Sequence, residues 1–403
     1  MVKIFLCFLF LVLFTTEAFC KDYKIEELLD IAEQNSANIK AADYLASSQK
    51  RLANQQKYWS NPSVSFDSNY GNESYSVSQT IPFYNKLQSK YDIEEAEYRV
   101  LETRKNNTAL FVKADLFSLL YQYQGLKKKI ELAQKRIDRL ALVDQYLSNI
   151  VLNSPTKRTQ AQITKDTIKL VERDLVKYRN QLYQIWNRAN IYLSLEREPE
   201  KILLNWIDGG SYQGRDFFIN AALENNLDLR EQKLLIGKYK SELSFAKIEQ
   251  MPDVNVSASK QNSSSGSSGR QDSNAIGLSL SIPLINRNQE KIAASESKIK
   301  SQQYAFDFQK NILISQINND LNEYEILLKL TKSFPVANIE KIVSRLSSAN
   351  SDFKKGVLDF ITYIELDTRE YEVIETIIDT QVEVAGAYAR VMTRVGNFTM
   401  PQK

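Results

Sequence analysis

Two periodicities take turns along this chain. Around residues 62–83 and 252–283, apolar and polar residues alternate with period two, which predicts strands. Val64, Phe66 and Tyr70 share one face, with Ser63, Ser65, Asp67 and Asn69 on the other; Tyr75, Val77 and Ile81 alternate in the same way with Ser74, Ser76, Ser78 and Thr80. In the second pair, Val254, Val256 and Ala258 oppose Asn255, Ser257 and Ser259, while Ile276, Leu278, Leu280 and Ile282 oppose Gly277, Ser279 and Ser281. Each strand reads as about ten residues, enough to cross a bilayer when tilted. A hairpin lying in water satisfies the same alternation, because alternation alone is a weak membrane signal.

Between these stretches the apolar residues recur in steps of three and four. Val171, Leu175, Tyr178, Leu182, Ile185, Ala189 and Tyr192 form one such seam; Phe306, Leu313, Ile317, Leu321, Tyr324 and Leu328 form another. A third runs from Phe360 through Ile364, Tyr371, Ile374, Ile378, Val382 and Ala385 to Ala389 and Met392, with one step skipped. These are coiled-coil surfaces. The pattern predicts helices at about 25–58, 88–151, 157–196, 214–250, 289–351 and 358–395. Pro335 should interrupt the fifth. A helix of about 60 residues is roughly 90 Å long, too long for one globular domain.

The order of elements occurs twice. Ile31–Lys40 aligns with Ala221–Arg230 at an offset of 190 residues, so that Asn35 falls on Asn225 and Pro62 on Pro252. Beyond the hairpins the offset is 201: Ile81-Pro82-Phe83-Tyr84-Asn85-Lys86 aligns with Ile282-Pro283-Leu284-Ile285-Asn286-Arg287. The 11 extra residues fall in the Ser/Gly-rich stretch Gln261–Asn274, an insertion that a hairpin tip tolerates, and within it Ser263–Gly269 reads as a flexible connector. The chain divides accordingly into a signal segment 1–20, a first repeat 21–205 with hairpin 62–83, a second repeat 206–396 with hairpin 252–283, and a tail 397–403.

Lys3 followed by the apolar run Ile4–Phe14 reads as a secretory signal, with cleavage after Ala18 or Cys20 or, alternatively, a lipidated Cys20. No later stretch of about twenty apolar residues exists, so any membrane crossing must be made by strands. Four strands cannot close a barrel, and open sheet edges cannot face lipid. Three chains sharing twelve strands remove the edges. The expected fold is therefore mainly α with a small β part: a long coiled-coil α-helical barrel continued by a twelve-stranded transmembrane β-barrel in a homotrimer, with an internal duplication. The expected lipid-facing residues are Val64, Phe66, Tyr75, Val77, Val254, Val256, Leu278 and Leu280.

Composition narrows the chemistry. The 403 residues carry a net charge of +3, no His, and only Cys7 and Cys20. His-dependent nucleophilic and zinc sites are excluded, and no phosphate-binding glycine loop is present. Catalytic residues, cofactors and bound metals are not expected, nor is a nucleic-acid partner.

The duplication, the strand–Pro motifs at Pro82 and Pro283 and the helix after each resemble the TolC family of outer-membrane factors. The run Leu280-Ser-Ile-Pro-Leu-Ile-Asn-Arg-Asn-Gln-Glu290 is most similar to its heavy-metal efflux branch, from which Ile285 and Glu290 depart. The resemblance implies a trimeric exit channel in the Gram-negative outer membrane, its helices reaching into the periplasm to meet an adaptor protein and an inner-membrane RND-type transporter, with metal cations as cargo. A type I protein-secretion channel has the same architecture and stays open as a reading. So does a soluble periplasmic coiled-coil scaffold. The family's adaptor-docking tips match Leu152, Asn153, Ser154 and Pro155 in the first repeat and Gly356, Val357 and Leu358 in the second. Val357 and Leu358 form an exposed apolar pair that either meets the adaptor or packs on a neighbouring tip. The family's acidic periplasmic constriction falls nearest Glu365, with Asp359 and Asp367 close by; a solvated helix face is the plainer reading of each.

Overall fold

The computed structural model describes residues 22–70, 72–150, 154–207, 213–265 and 269–401. The signal segment 1–20, Leu152 and Asn153 lie outside these residues. Among them are nine helices: α1 (Ile25–Asn35), α2 (Ala37–Gln55), α3 (Lys86–Ile150), α4 (Pro155–Leu193), α5 (Arg215–Asn225), α6 (Leu227–Glu249), α7 (Gln289–Ser333), α8 (Asn338–Lys354) and α9 (Phe360–Val395). The strands are β1 (Tyr23–Lys24), β2 (Ser63–Asn69), β3 (Asn72–Ile81), β4 (Ile202–Leu203), β5 (Val254–Ser265) and β6 (Gly269–Leu280).

Helix α3 is the spine. Its 65 residues span about 98 Å. Near the sheet it packs against α2 and α6, with α7 beyond α6; towards the far end it packs against α4 and α9, with α8 beside α9. The protomer is thus a wall of helices with exposed outer members rather than a closed bundle. Apolar seams hold the wall together. Leu132, Ile374 and Ile378 are buried between α3 and α9; Ala133, Val171 and Leu175 are buried between α3 and α4. The largest core lies mid-length, where α1, α5, β4 and the C-terminal segment wrap the wall around Leu116, Phe117, Leu120 and Tyr123. Each such fully buried Leu or Phe contributes about 1.5–3 kcal/mol of transfer free energy.

The helices expected at 25–58 and 214–250 are each two helices. The breaks fall at Ser36 and Asn226, again 190 residues apart, with nearly the same backbone (φ −57°, ψ 122° and φ −57°, ψ 126°). Each of these short polar residues is the capping position of the helix that follows. Asn226 Oδ1 accepts from Leu229 N at 3.0 Å, and its amide donates to Arg394 O at 2.9 Å. At Asn226, side-chain competition for backbone groups breaks the helix where apolar periodicity alone sees continuity; the Ser36 side chain makes no such capping bond. At Pro335 the interruption is as expected: α7 ends at Ser333 and α8 resumes at Asn338, because proline lacks an N–H and pushes its predecessor out of the helical region. The two-residue parallel pairing of Tyr23–Lys24 with Ile202–Leu203 was not foreseen.

The four long strands form one antiparallel sheet in the order β2-β3-β5-β6. The central pairing, β3 with β5, joins the two repeats. Much of the Ser/Gly-rich stretch is strand: β5 continues to Ser265 and β6 begins at Gly269, so the extra residues lengthen the second hairpin, with 266–268 outside the described residues. Ladder bonds use backbone groups, which serine supplies as well as valine does. The register of the following turns also differs from the motif alignment. Asn85 and Asn288 are the left-handed residues from which the long helices start. The second turn is therefore two residues longer than the 201 offset implies. Asp253 bridges the repeats here, accepting at Oδ1 from Phe83 N and Lys86 Nζ, both at 2.8 Å.

Candidate functional site

Three features carry the expected function: the sheet, the two helix turns at the far end, and the acidic start of α9. The register sorts the sheet into rows. Val64 faces Val77, Val77 faces Ala258 and Ala258 faces Ile276; Phe66 faces Tyr75; Val256 faces Leu278 and Val254 faces Leu280. The other surface is a polar ladder in which Ser63, Ser78, Ser257 and Gly277 share a row, and Ser65, Ser76, Ser259 and Ala275 share the next. Ser63 and Ser65 hydrogen-bond their partners across the strands at 2.7 Å. Seven of the eight expected lipid-facing residues are exposed; Val254, at the end of β5, is half-buried. Ile276, which the alternation placed on this face but which was not among the eight, is 89% exposed. Its alternation with Gly277 and Ala275 was the available signal. Among the described residues the outer edges of β2 and β6 have no strand partner within the protomer.

At the far end, Ser154 adopts extended backbone before α4, and Pro155 takes the first helical position, where its missing N–H costs nothing. The turn from α8 to α9 is a Schellman closure. Gly356 sits at φ 75°, its N–H donates to Phe353 O at 3.0 Å, and Val357 N donates to Asp352 O at 2.9 Å. This leaves Val357 77% exposed, whereas Leu358 packs against the core around Phe353, Phe360 and Tyr363. The exposed pair is thus Val357 with Ile361, which is 70% exposed. One helical turn brings Ile361 to the surface that Leu358 was expected to hold.

The three acidic residues have three different environments. Asp359 caps α9, accepting from Thr362 N at 3.0 Å and from the Thr362 hydroxyl. These donors hold its carboxyl below the usual aspartate value. Glu365 is exposed, as the constriction reading requires. Asp367 does not fit that reading and is a correction: it is fully buried, with Arg136 Nε at 2.7 Å and Arg139 Nη2 at 2.5 Å. Burial works against the charge on Arg139, but the facing carboxylate keeps its pKa above the ordinary value. Asp367 lies on the α9 seam between Tyr363 and Tyr371, so it faces α3 and not solvent. The skipped step in the heptads, with Arg136 and Arg139 three residues apart on α3, was the available signal. Tyr371 stacks beneath the Arg136 guanidinium at 4.4 Å, and burial pushes the Tyr363 phenol up to about 12. Among the described residues no helix is long and apolar enough to cross a membrane, and no three His, Cys, Asp or Glu side chains gather to hold a metal ion.

Comparison with known proteins places this geometry. Residues 218–332 match the family model described as outer membrane efflux protein. The fold is similar to that of CusC, whose crystal structures concern folding and transmembrane channel formation: TM-score 0.72 at 12% identity, covering 94% of this chain and 93% of that one. It is similar to the MtrE outer membrane channel of Neisseria gonorrhoeae in its open state, with TM-score 0.70 at 13% identity over 93% and 89% of the two chains. VceC, an outer membrane protein of Vibrio cholerae, gives TM-score 0.66 at 13% identity over 93% and 96%. No curated protein sequence matches significantly.

Proposed function

We propose that three copies of this chain form an outer-membrane exit channel, a passive duct whose energy comes from an inner-membrane transporter. The observation that carries this reading is the sheet. It has an apolar face in the open, a serine-rich face behind it and two unpaired edges, a surface that water disfavours and lipid suits. Strand directions alternate across the protomer, so β6 of one copy meets β2 of the next antiparallel, as a closed twelve-stranded ring requires. The fold shared with the channels above supports the same reading. The test is purification from membranes in detergent, followed by native mass spectrometry and planar-bilayer recording. Three copies and a stable conductance are expected. A monomer that stays folded in buffer without detergent overturns the proposal.

The turns at the far end are the proposed seat of a periplasmic adaptor. Val357 and Ile361 offer it an apolar patch, flanked by Lys354 and Lys355. Pro at position 356 cannot adopt φ 75°, so Gly356→Pro should abolish co-purification with the adaptor while the trimer still inserts. Loss of the trimer, or normal export by the variant, counts against this placement. For cargo we propose metal cations driven by an RND-type transporter. Glu365, Glu372 and Glu383 lie on one exposed stripe of α9, and rings of carboxylates favour cations. Glu365→Lys should lower the cation-to-anion permeability ratio in bilayer recordings.

A further inference from the structure

The strand register assigns a face to every position of the four-stranded sheet, and the serine-rich face has one departure from its own rule. All its positions carry Ser, Thr, Asn, Gln, Ala or Gly except Asp67. Asp67 lies one row in from the end of the first hairpin, where Asn69 pairs with Asn72. Its row across the sheet continues through Ser74, Gln261 and Ser273. The Asp67 side chain is exposed, and among the described residues it has neither an ion pair nor a hydrogen bond. Glu73, Lys260 and Asp272 stand at the alternate positions and belong to the apolar face. The side of the sheet that the channel reading turns to the lumen therefore carries a single charge per chain, close to the hairpin end.

We infer that Asp67 sets the ion preference of the sheet part of the channel, three copies placing a ring of carboxylates near the outer mouth of an otherwise uncharged lumen. The inference rests on the channel reading and needs all three chains, since each brings one carboxylate. Strands about 4.8 Å apart and tilted about 40° put the wall of a twelve-stranded barrel about 12 Å from its axis. An aspartate side chain then brings its charge to about 8 Å from the axis, which is about the Debye length at physiological ionic strength. The ring's field thus reaches the centre of the lumen in dilute salt and is screened near 1 M, where the Debye length is about 3 Å. No basic residue on that face offsets it. Hydroxyl and amide neighbours suit a hydrated cation that pauses and leaves. Glu365 belongs to the opposite end of the molecule, so the two sets of carboxylates act in series along the duct.

The test reads reversal potentials of the full-length protein in planar bilayers under a potassium chloride gradient. With the dilute side at about 10 mM, where the Debye length is about 30 Å, Asp67→Asn should lower the cation-to-anion permeability ratio about twofold or more. With both solutions near 1 M, parent and variant should agree. Ser76→Asp adds a second ring one row further in and should raise the ratio in dilute salt. Glu73→Gln is the control for the face: it removes a carboxylate next to Ser74, at nearly the height of Asp67 but on the other side of the sheet, and should leave the ratio unchanged. If Asp67→Asn and Ser76→Asp both conduct with the parent's ratio in dilute salt, the inference fails and the channel reading stands. If Glu73→Gln moves the ratio and Asp67→Asn does not, the faces are reversed and the inference is overturned. Should Asp67→Asn not assemble, Ser76→Asp decides alone. If the parent itself gives no conductance, the channel reading fails as well.

Discussion

Asp367 shows how far a single position can depart from its neighbourhood. Two guanidiniums, each about 10% exposed, depend on its carboxylate. Asp367→Asn should cost about 3–5 kcal/mol, because removing one partner leaves buried charge uncompensated. A drop in the denaturant midpoint checks this; an unchanged midpoint means the triad carries no weight. Asp359, by contrast, is exposed and acts through a cap. Its folded-state pKa is depressed, so the cap is fully present above the unfolded value of about 4 and is lost as pH falls through the lower folded value. Hydrogen exchange at the start of α9 should therefore accelerate only in acid, whereas Asp359→Ala should accelerate it already at neutral pH and add nothing in acid. Sequence periodicity put both carboxylates near the tip and could not tell them apart. The difference lies in which face of α9 meets α3, and Arg136 and Arg139 decide that from more than 220 residues away in sequence.

At the level of elements, the long helices, the break at Pro335 and the paired hairpins were legible because each rests on a strong local rule. Less legible were features set by tertiary contact. The kinks at Ser36 and Asn226 lie inside good helical periodicity, and the second is held by a partner segment, as the Asn226 amide on Arg394 O shows. The same contact explains Gly396, which ends α9 at φ 85°; a Cβ there would lie 2.2 Å from Asn225 O. Gly396→Ala should destabilise the fold by about 1–3 kcal/mol or more, combining left-handed strain with the clash. A thermal midpoint within error of the parent would contradict this. The Ser/Gly-rich hairpin was misread for a related reason. Composition suggested slack, but the partner strand supplies hydrogen bonds irrespective of side chain.

For the whole molecule the governing fact is incompleteness. The described residues form a wall of helices with exposed outer members and a sheet whose outer edges have no strand partner among them, and the channel proposal assigns its exposed apolar rows to lipid. A lysine at the centre of such a face costs about 2–4 kcal/mol when the face meets lipid, and little when it meets water. Leu278→Lys should therefore block recovery of the protein from the membrane fraction. Charged replacements at Phe66, Val77 or Leu280 should act in the same direction. Normal membrane yields for all four would reassign that face.

The pairing of β3 with β5 knits two look-alike halves side by side. In the proposed trimer, three protomers arranged head to tail would present six similar sectors around one axis. Where the halves agree the ring is effectively sixfold; where they diverge it drops to threefold. The far rim is such a place, since glycine shapes one turn and proline opens the helix after the other. A six-toothed ring of identical teeth would therefore find two grades of notch, alternating around the circumference.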